Sequence, residues 1–202
     1  MLKIGVLISG GGSNLQSIID AIEDRFLNCS ITCVISDRPG IYGLERASKY
    51  GVTTYVVDRK EHKEDLSEEV LSHLKGKVDL VVLAGFLSIL TGDILDEFKY
   101  SIINIHPSLI PSFCGNGMYG IKIHEKVIKS GVKLSGCTVH FVDSGTDSGP
   151  IILQKSVPVY FEDDAETLQK RILIEEHKAL PEAISLICQS KVFIIENRVK
   201  II

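Results

Sequence analysis

The chain has 202 residues, 45% of them hydrophobic and 24% charged, with a formal net charge of −4 at pH 7. That is the make-up of a soluble globular protein with core enough for one domain. An acidic balance excludes the basic surface that non-specific nucleic-acid binding requires, though it does not exclude an anionic ligand held locally by backbone N–H groups.

Along the chain, short β-branched runs alternate with stretches whose apolar residues recur at helical spacing. Strands are expected at 2–9, 31–36, 53–57, 78–84 and 102–105, and helices at 14–22, 42–50, 66–74 and 89–98. Such alternation predicts a single-domain α/β protein, Rossmann-like, with a mostly parallel twisted sheet and helices on both faces. After residue 130 the pattern changes. Two extended runs, 133–141 and 151–159, flank the Gly-rich stretch 143–150 and either pair with each other or lengthen the sheet, so a mixed sheet is expected in the C-terminal half. A long helix is expected at 165–187, with Leu168, Ile172, Ile174 and Leu180 on its apolar face and Pro181 placed to kink or divide it. Residues 192–195 and 199–202, around Glu196-Asn197-Arg198, read as a terminal hairpin. Residues 1–202 thus form one expected domain, with a Rossmann-like half at 1–100, a second half at 101–190 and the hairpin at 191–202.

The five cysteines, Cys29, Cys33, Cys114, Cys137 and Cys188, are scattered and form no Cys-x-x-Cys pair, which predicts free thiols in a reducing compartment and no metal. The start runs straight into a strand without a signal-like segment, and no apolar run reaches membrane-spanning length. A cytoplasmic protein without a membrane partner is expected.

Two segments carry chemistry. Ser9-Gly10-Gly11-Gly12-Ser13-Asn14 lies between the first strand and the first helix, where glycine lets the backbone approach a ligand and the helix start offers unpaired N–H groups to a phosphate. Leu15 occupies the third glycine position of a dinucleotide fingerprint and no Gly-Lys-Ser/Thr follows, so NAD and ATP readings are weak. The same segment also suits a plain turn capped by Ser13. Asn104-Ile105-His106-Pro107-Ser108 ends a strand and enters a Pro- and Gly-rich loop, the place where open α/β sheets hold ligands. Asn104 offers neutral amide donors, His106 carries or yields a proton near pH 7, and Asp147 from a distant loop would orient that imidazole and favour its charged form. Together they suit acyl transfer without a covalent enzyme intermediate. A structural turn with a satisfied polar pair is the competing reading.

The runs Val82-Leu83-Ala84-Gly85-Phe86, Ile103 to Pro111, Thr138-Val139-His140-Phe141-Val142 and Asp147 to Ile152, with the opening Ile8 to Gln16 and Glu175-Glu176-His177, resemble the glycinamide ribonucleotide formyltransferases of purine biosynthesis, in the same order. The resemblance runs from about residue 2 to about residue 190 and implies formyl transfer from 10-formyltetrahydrofolate, a co-substrate, to the amine of 5'-phosphoribosylglycinamide, with no metal. It also implies that Asn104, His106 and Asp147 are catalytic, that Gly12, Ser13, Asn14 and Glu176 bind the ribonucleotide, and that the 101–190 half holds the folate. Folate contacts are implied for Leu87, Ser88, Ile89, Leu90, Asn104, Asp143, Ser144, Gly145, Thr146 and Asp147. Lys63, near a position that is basic in the family, would meet a folate carboxylate or be one charge on a solvated helix face.

The chain departs from the pattern in three places. Gly11 replaces an Asn and Ser88 an Arg found in some relatives, and the loop 112–122 is longer, either a mobile cover or a static surface loop. His140 is read as equally structural or functional. A monomer or homodimer is expected, with small-molecule partners only. The alternatives are another user of 10-formyltetrahydrofolate (a hydrolase or a sugar-nucleotide formyltransferase) or a non-catalytic nucleotide-binding protein; the last explains the glycine loop but not the Asn104/His106/Asp147 set.

Overall fold

A computed structural model describes residues 1–202. In chain order the elements are β1 (Leu2–Ile8), α1 (Ser13–Glu23), β2 (Cys29–Ser36), α2 (Tyr42–Lys49), β3 (Thr53–Val56), α3 (Arg59–His62) with a 3-10 turn at Lys63–Asp65, and α4 (Leu66–Leu74). They continue with β4 (Leu80–Leu83), α5 (Asp93–Glu97), β5 (Ile102–His106), α6 (Ile121–Ser130), β6 (Leu134–Phe141), β7 (Ile151–Pro158), α7 (Ala165–Cys188), β8 (Val192–Ile195) and β9 (Arg198–Ile201).

Seven strands form one sheet in the order β3-β2-β1-β4-β5-β6-β7. The first five are parallel, whereas β5 pairs antiparallel with β6 and β6 antiparallel with β7. Both expected uses of 133–141 and 151–159 therefore hold: the runs pair with each other and lengthen the sheet. The chain winds outward from β1 in one direction and from β4 in the other, and the crevice beyond the carboxyl ends at such a reversal is where open sheets bind ligands.

Side-chain alternation explains why the sheet is covered on both faces. Ile4, Val6 and Ile8 of β1, Leu80 and Val82 of β4, and Ile103 and Ile105 of β5 pack on one side with α1, α6 and α7. Leu7, Val81, Leu83 and Ile102 pack on the other with α4 and α5. This is the continuous apolar run of a strand buried on both faces, and removing such area from water at about 25 cal/mol per Å² is the main favourable term in folding. Burial pushes the thiols of Cys29 and Cys137 up to about 12, and all five cysteines are free. No helix is long and apolar enough to cross a membrane.

Several expectations need correction. The helix expected at 89–98 is only Asp93–Glu97, because Gly92 takes φ 71, ψ −146, outside the helical basin, and leaves 87–92 as a loop. Helix α6 begins inside the expected 112–122 loop and runs through 123–130, where no element was expected; its apolar pair Ile123 and Val127, one turn apart, and Gly131 at φ 70 just past its end were legible signals. Pro181 lies inside α7 without dividing it. Ile174 is exposed, since two residues advance a helix by about 200° and carry it away from Ile172. The terminal hairpin stands, with Glu196 and Asn197 at φ 48 and 61 making the two-residue turn that matches strand twist.

Candidate active site

A cavity of about 670 Å³ opens at the carboxyl edge of the sheet, between the loops after β4, β5 and β6 and helices α6 and α7. A shallower depression of about 820 Å³ lies along α1 and α7, beside Ser13, Arg46 and His177, and gathers none of the amide–imidazole–carboxylate groups.

One end of the cavity is reached from the glycine loop. Gly12 is the residue before α1, at φ 72, ψ 33, and no side chain caps this helix, so Ser13 is not the cap the plain-turn reading needed. The carbonyls of Gly10 and Gly11 are held from α2, by the N–H of Gly43 at 3.2 Å and the Nε–H of Arg46 at 2.8 Å. The N–H groups of the first turn of α1 have no partner within the helix. Asn14 donates from Nδ2 to Oε2 of buried Glu176 at 2.7 Å, joining α1 to α7 across 162 positions of sequence. Burial pushes the Glu176 carboxyl above the usual range, against the opposing effect of the Asn14 bond, and Oδ1 of Asn14 is buried without a partner. Asn14 and Glu176 line the cavity; Gly12 and Ser13 adjoin it without lining it.

The other end is built on the antiparallel pair β5–β6. Register places Asn104 opposite His140 and His106 opposite Thr138, all four on the face away from Ile103, Ile105, Val139 and Phe141. Thr138 donates to the Ser108 carbonyl at 2.7 Å and accepts from the Ile110 N–H at 3.1 Å, pinning the turn that leaves β5. His106 is 3.0 Å through Nε2 from the Phe113 carbonyl and 3.7 Å through Nδ1 from Oδ2 of Asp147. A carbonyl only accepts, so Nε2 carries a hydrogen and Nδ1 is the nitrogen left for proton exchange. Asp147, at φ 56, also accepts the Gly115 N–H at 2.9 Å and stands 3.7 Å from Nε2 of His140. The 112–122 loop is therefore part of the support of the site: Phe113 holds the imidazole and Gly115 the carboxylate.

Between these ends, Leu87, Ser88, Ile89 and Leu90 face the 143–147 loop across the cavity. Leu87 and Ile89 are exposed and Leu90 is buried. Asp143 shapes its own loop by accepting from the Gly145 N–H at 3.0 Å and the Ser148 hydroxyl at 2.6 Å; Ser144, Gly145 and Thr146 line the cavity between it and Asp147. No group of three or more His, Cys, Asp or Glu side chains is arranged to hold a metal ion.

A family model described as formyl transferase matches residues 2–184. The chain belongs to the formyl transferase family. Glycinamide ribonucleotide transformylase 1 from Symbiobacterium toebii superposes with a TM-score of 0.94 at 43% identity, over 100% of this chain and 94% of that one. A formyltetrahydrofolate deformylase from Pseudomonas syringae superposes at 0.89 with 28% identity, over 99% of this chain and 65% of that one. Among curated relatives, the chloroplastic phosphoribosylglycinamide formyltransferase of Vigna unguiculata is 38% identical over 94% of this chain and 62% of its own length. The trifunctional purine biosynthetic protein adenosine-3 of Drosophila melanogaster is 40% identical over 92% of this chain, which spans 14% of that protein.

Two features at or beside the cavity escaped sequence reasoning. Asp37, fully buried at the end of β2, accepts the Ser88 hydroxyl at 2.8 Å and lies 3.7 Å from the Arg59 guanidinium and 3.3 Å from that of Arg38. Lys63, by contrast, is exposed in the turn after α3, at φ 42, and does not line the cavity. Arg38 and Arg59 are the cations paired with Asp37, the partner of Ser88. His124 of α6 lines the cavity, buried and with Nδ1 unpartnered; burial first, and His106 second, push its imidazole down to about 4. Its position was hidden because α6 itself was not foreseen.

Proposed function

We propose that the chain transfers the formyl group of 10-formyltetrahydrofolate to the amine of 5'-phosphoribosylglycinamide, giving formylglycinamide ribonucleotide and tetrahydrofolate in de novo purine (IMP) synthesis. The observation that carries this reading is the convergence of Asn104, His106 and Asp147 on a cavity whose far end is the Asn14–Glu176 pair beside the glycine loop. The loop Gly12, Ser13 and Asn14 offers backbone N–H groups to the phosphate, and Glu176 and Asn14 offer polar atoms to the ribose or glycinamide. The pterin lies between Leu87–Leu90 and the 143–147 loop, which is lined by apolar side chains and backbone polar groups. Arg59, held by Asp37 beside Ser88, joins Lys63 as a side chain to test against a carboxylate of the folate tail.

In the reaction the amine attacks the formyl carbon, its bond to N10 breaks, and the amine proton passes to N10. Asn104 donates to the formyl oxygen as charge develops there, and His106, protonated at Nδ1, stabilises the oxyanion and relays the proton. Asp147 orients that imidazole. No thiol nucleophile is needed: Cys114 donates to the Pro111 carbonyl at 3.2 Å, and burial together with Asp147 raises its pKa. The reading places the protein in the cytoplasm, as a monomer or homodimer acting on small molecules.

The test is turnover with both substrates, following tetrahydrofolate and formylated ribonucleotide together. Equal amounts of the two products are expected. Formate released without the ribonucleotide would favour a hydrolase, and no turnover with either would sink the enzyme reading.

A further inference from the structure

We propose that His140 is a positioning residue, held as the neutral tautomer with its hydrogen on Nδ1, which fixes which atom of the Asn104 amide faces the reacting oxygen. The inference rests on the role given above to Asn104; His140 also lines the cavity and acts through that amide.

Register brings the two side chains together. Asn104 and His140 are cross-strand partners in the β5–β6 ladder, and directly opposed side chains on one face of an antiparallel pair are within reach of each other. At His140 the β6–β7 ladder slips: Val139 pairs with Leu153 while His140 pairs with Ile151. The extra residue, Ile152, stands on β7, so β6 keeps its alternation and His140 its place opposite Asn104.

Two contacts then determine the ring. Nδ1 is 2.8 Å from the Phe141 carbonyl, which only accepts, so Nδ1 carries a hydrogen. Nε2 is 3.1 Å from Nδ2 of Asn104, an amide nitrogen that only donates, so Nε2 presents its lone pair. Only the neutral Nδ1–H imidazole satisfies both. Burial lowers the pKa of this ring and outweighs the Phe141 carbonyl, Asp147 and Asp143, which favour the cation; His106 adds to the lowering. Oδ1 of Asp147 at 3.7 Å is too far to take a hydrogen bond from Nε2.

The consequence falls on Asn104. Its amide is planar and nearly symmetrical in shape, and a half-turn about its last bond exchanges a donor for an acceptor. One N–H is committed to His140, which leaves the second N–H for a ligand oxygen. Without an acceptor at Nε2, or with a hydrogen placed there, the amide turns over and presents its carbonyl to a developing oxyanion. Loss of an oxyanion donor costs roughly 10²–10³ in kcat, and an amide that samples both orientations loses part of that.

The experiment combines ¹⁵N NMR of the imidazoles in the intact wild-type protein with the kinetics of His140→Gln and His140→Leu. Near neutral pH the His140 ring should show hydrogen on Nδ1 and a lone pair on Nε2. His140→Leu should lose about tenfold or more in kcat with both KM values within about threefold. His140→Gln, whose side-chain oxygen restores an acceptor, should recover most of the rate. An Nε2–H or doubly protonated ring overturns the proposal, as does a leucine variant at wild-type kcat, or a kcat loss that glutamine fails to rescue. If the leucine variant does not fold, the tautomer measurement still decides. A wild type without turnover would count against the formyl-transfer reading alone, because the tautomer is read without substrate.

Discussion

The two ends of the cavity are built by different means. At the glycine loop the groups proposed to hold the phosphate belong to the backbone, between β1 and α1, with Gly12 in a conformation L side chains avoid. At the β5–β6 edge they are side chains, each placed by an opposing residue in the ladder: Asn104 by His140, and the turn beyond His106 by Thr138. A backbone site is sensitive to a single added Cβ and indifferent to most side chains, which suits a loop where Gly11 stands for an Asn. A side-chain site is sensitive to which nitrogen holds a hydrogen.

The sharpest break of that contrast is His106→Ala. It should lower kcat by about 10²–10⁴ while directly titrated affinities for both substrates stay close to wild type, since a proton carrier acts mainly in the transition state. A change in kcat under about threefold would remove His106 from the mechanism. Next, Asp147→Asn should lower kcat by roughly 10² and leave the fold unchanged, because the new amide oxygen still accepts the Gly115 N–H. Asp147→Ala should add faster amide exchange at 113–115, and unchanged exchange there would mean that the carboxylate does not hold the loop.

The side-chain end should also carry an acid liability at His124. His124 is held neutral, with its pKa lowered from 6.5 to about 4. Between those values the unfolded chain binds a proton that the folded one refuses, so stability falls as pH drops through this window and levels off below it. Across that window one such histidine costs roughly 3 kcal/mol of stability. Denaturant titrations of His124→Gln should show a flatter acid limb than wild type; parallel limbs would mean that this imidazole is not buried in its neutral form.

The smallest effects test the glycines. A Cβ on Gly12 would meet the Gly43 Cα at 2.8 Å, and φ 72 is strained for any L side chain, whereas a Cβ on Gly11 meets nothing within 4 Å. Gly12→Ala should destabilise by about 1–2 kcal/mol and weaken ribonucleotide binding more than folate binding. Gly11→Ala should change stability by less than about 0.5 kcal/mol and spare both affinities. Equal losses of both ligands in Gly12→Ala would assign the effect to general strain and leave the phosphate role of the loop without support.

Much of this was legible in one dimension. Apolar periodicity located all seven strands of the sheet and the long α7, because burial on a face leaves a repeating trace along the chain. The ordered motifs around Gly12, Asn104, His106 and Asp147 pointed to a formyl transferase. Tertiary structure alone decided the rest. Asn14 finds Glu176 from 162 positions away. Asp37, at the end of a strand with no motif around it, becomes the anchor of Arg59 and Ser88. His140 reads as an alternating strand residue until register sets it against Asn104 and one carbonyl selects its tautomer. The physical reason is range. Periodicity and glycine geometry are local and repeat along the chain, whereas a hydrogen bond depends on two atoms within about 3 Å, and only the folded sheet chooses which distant atoms those are.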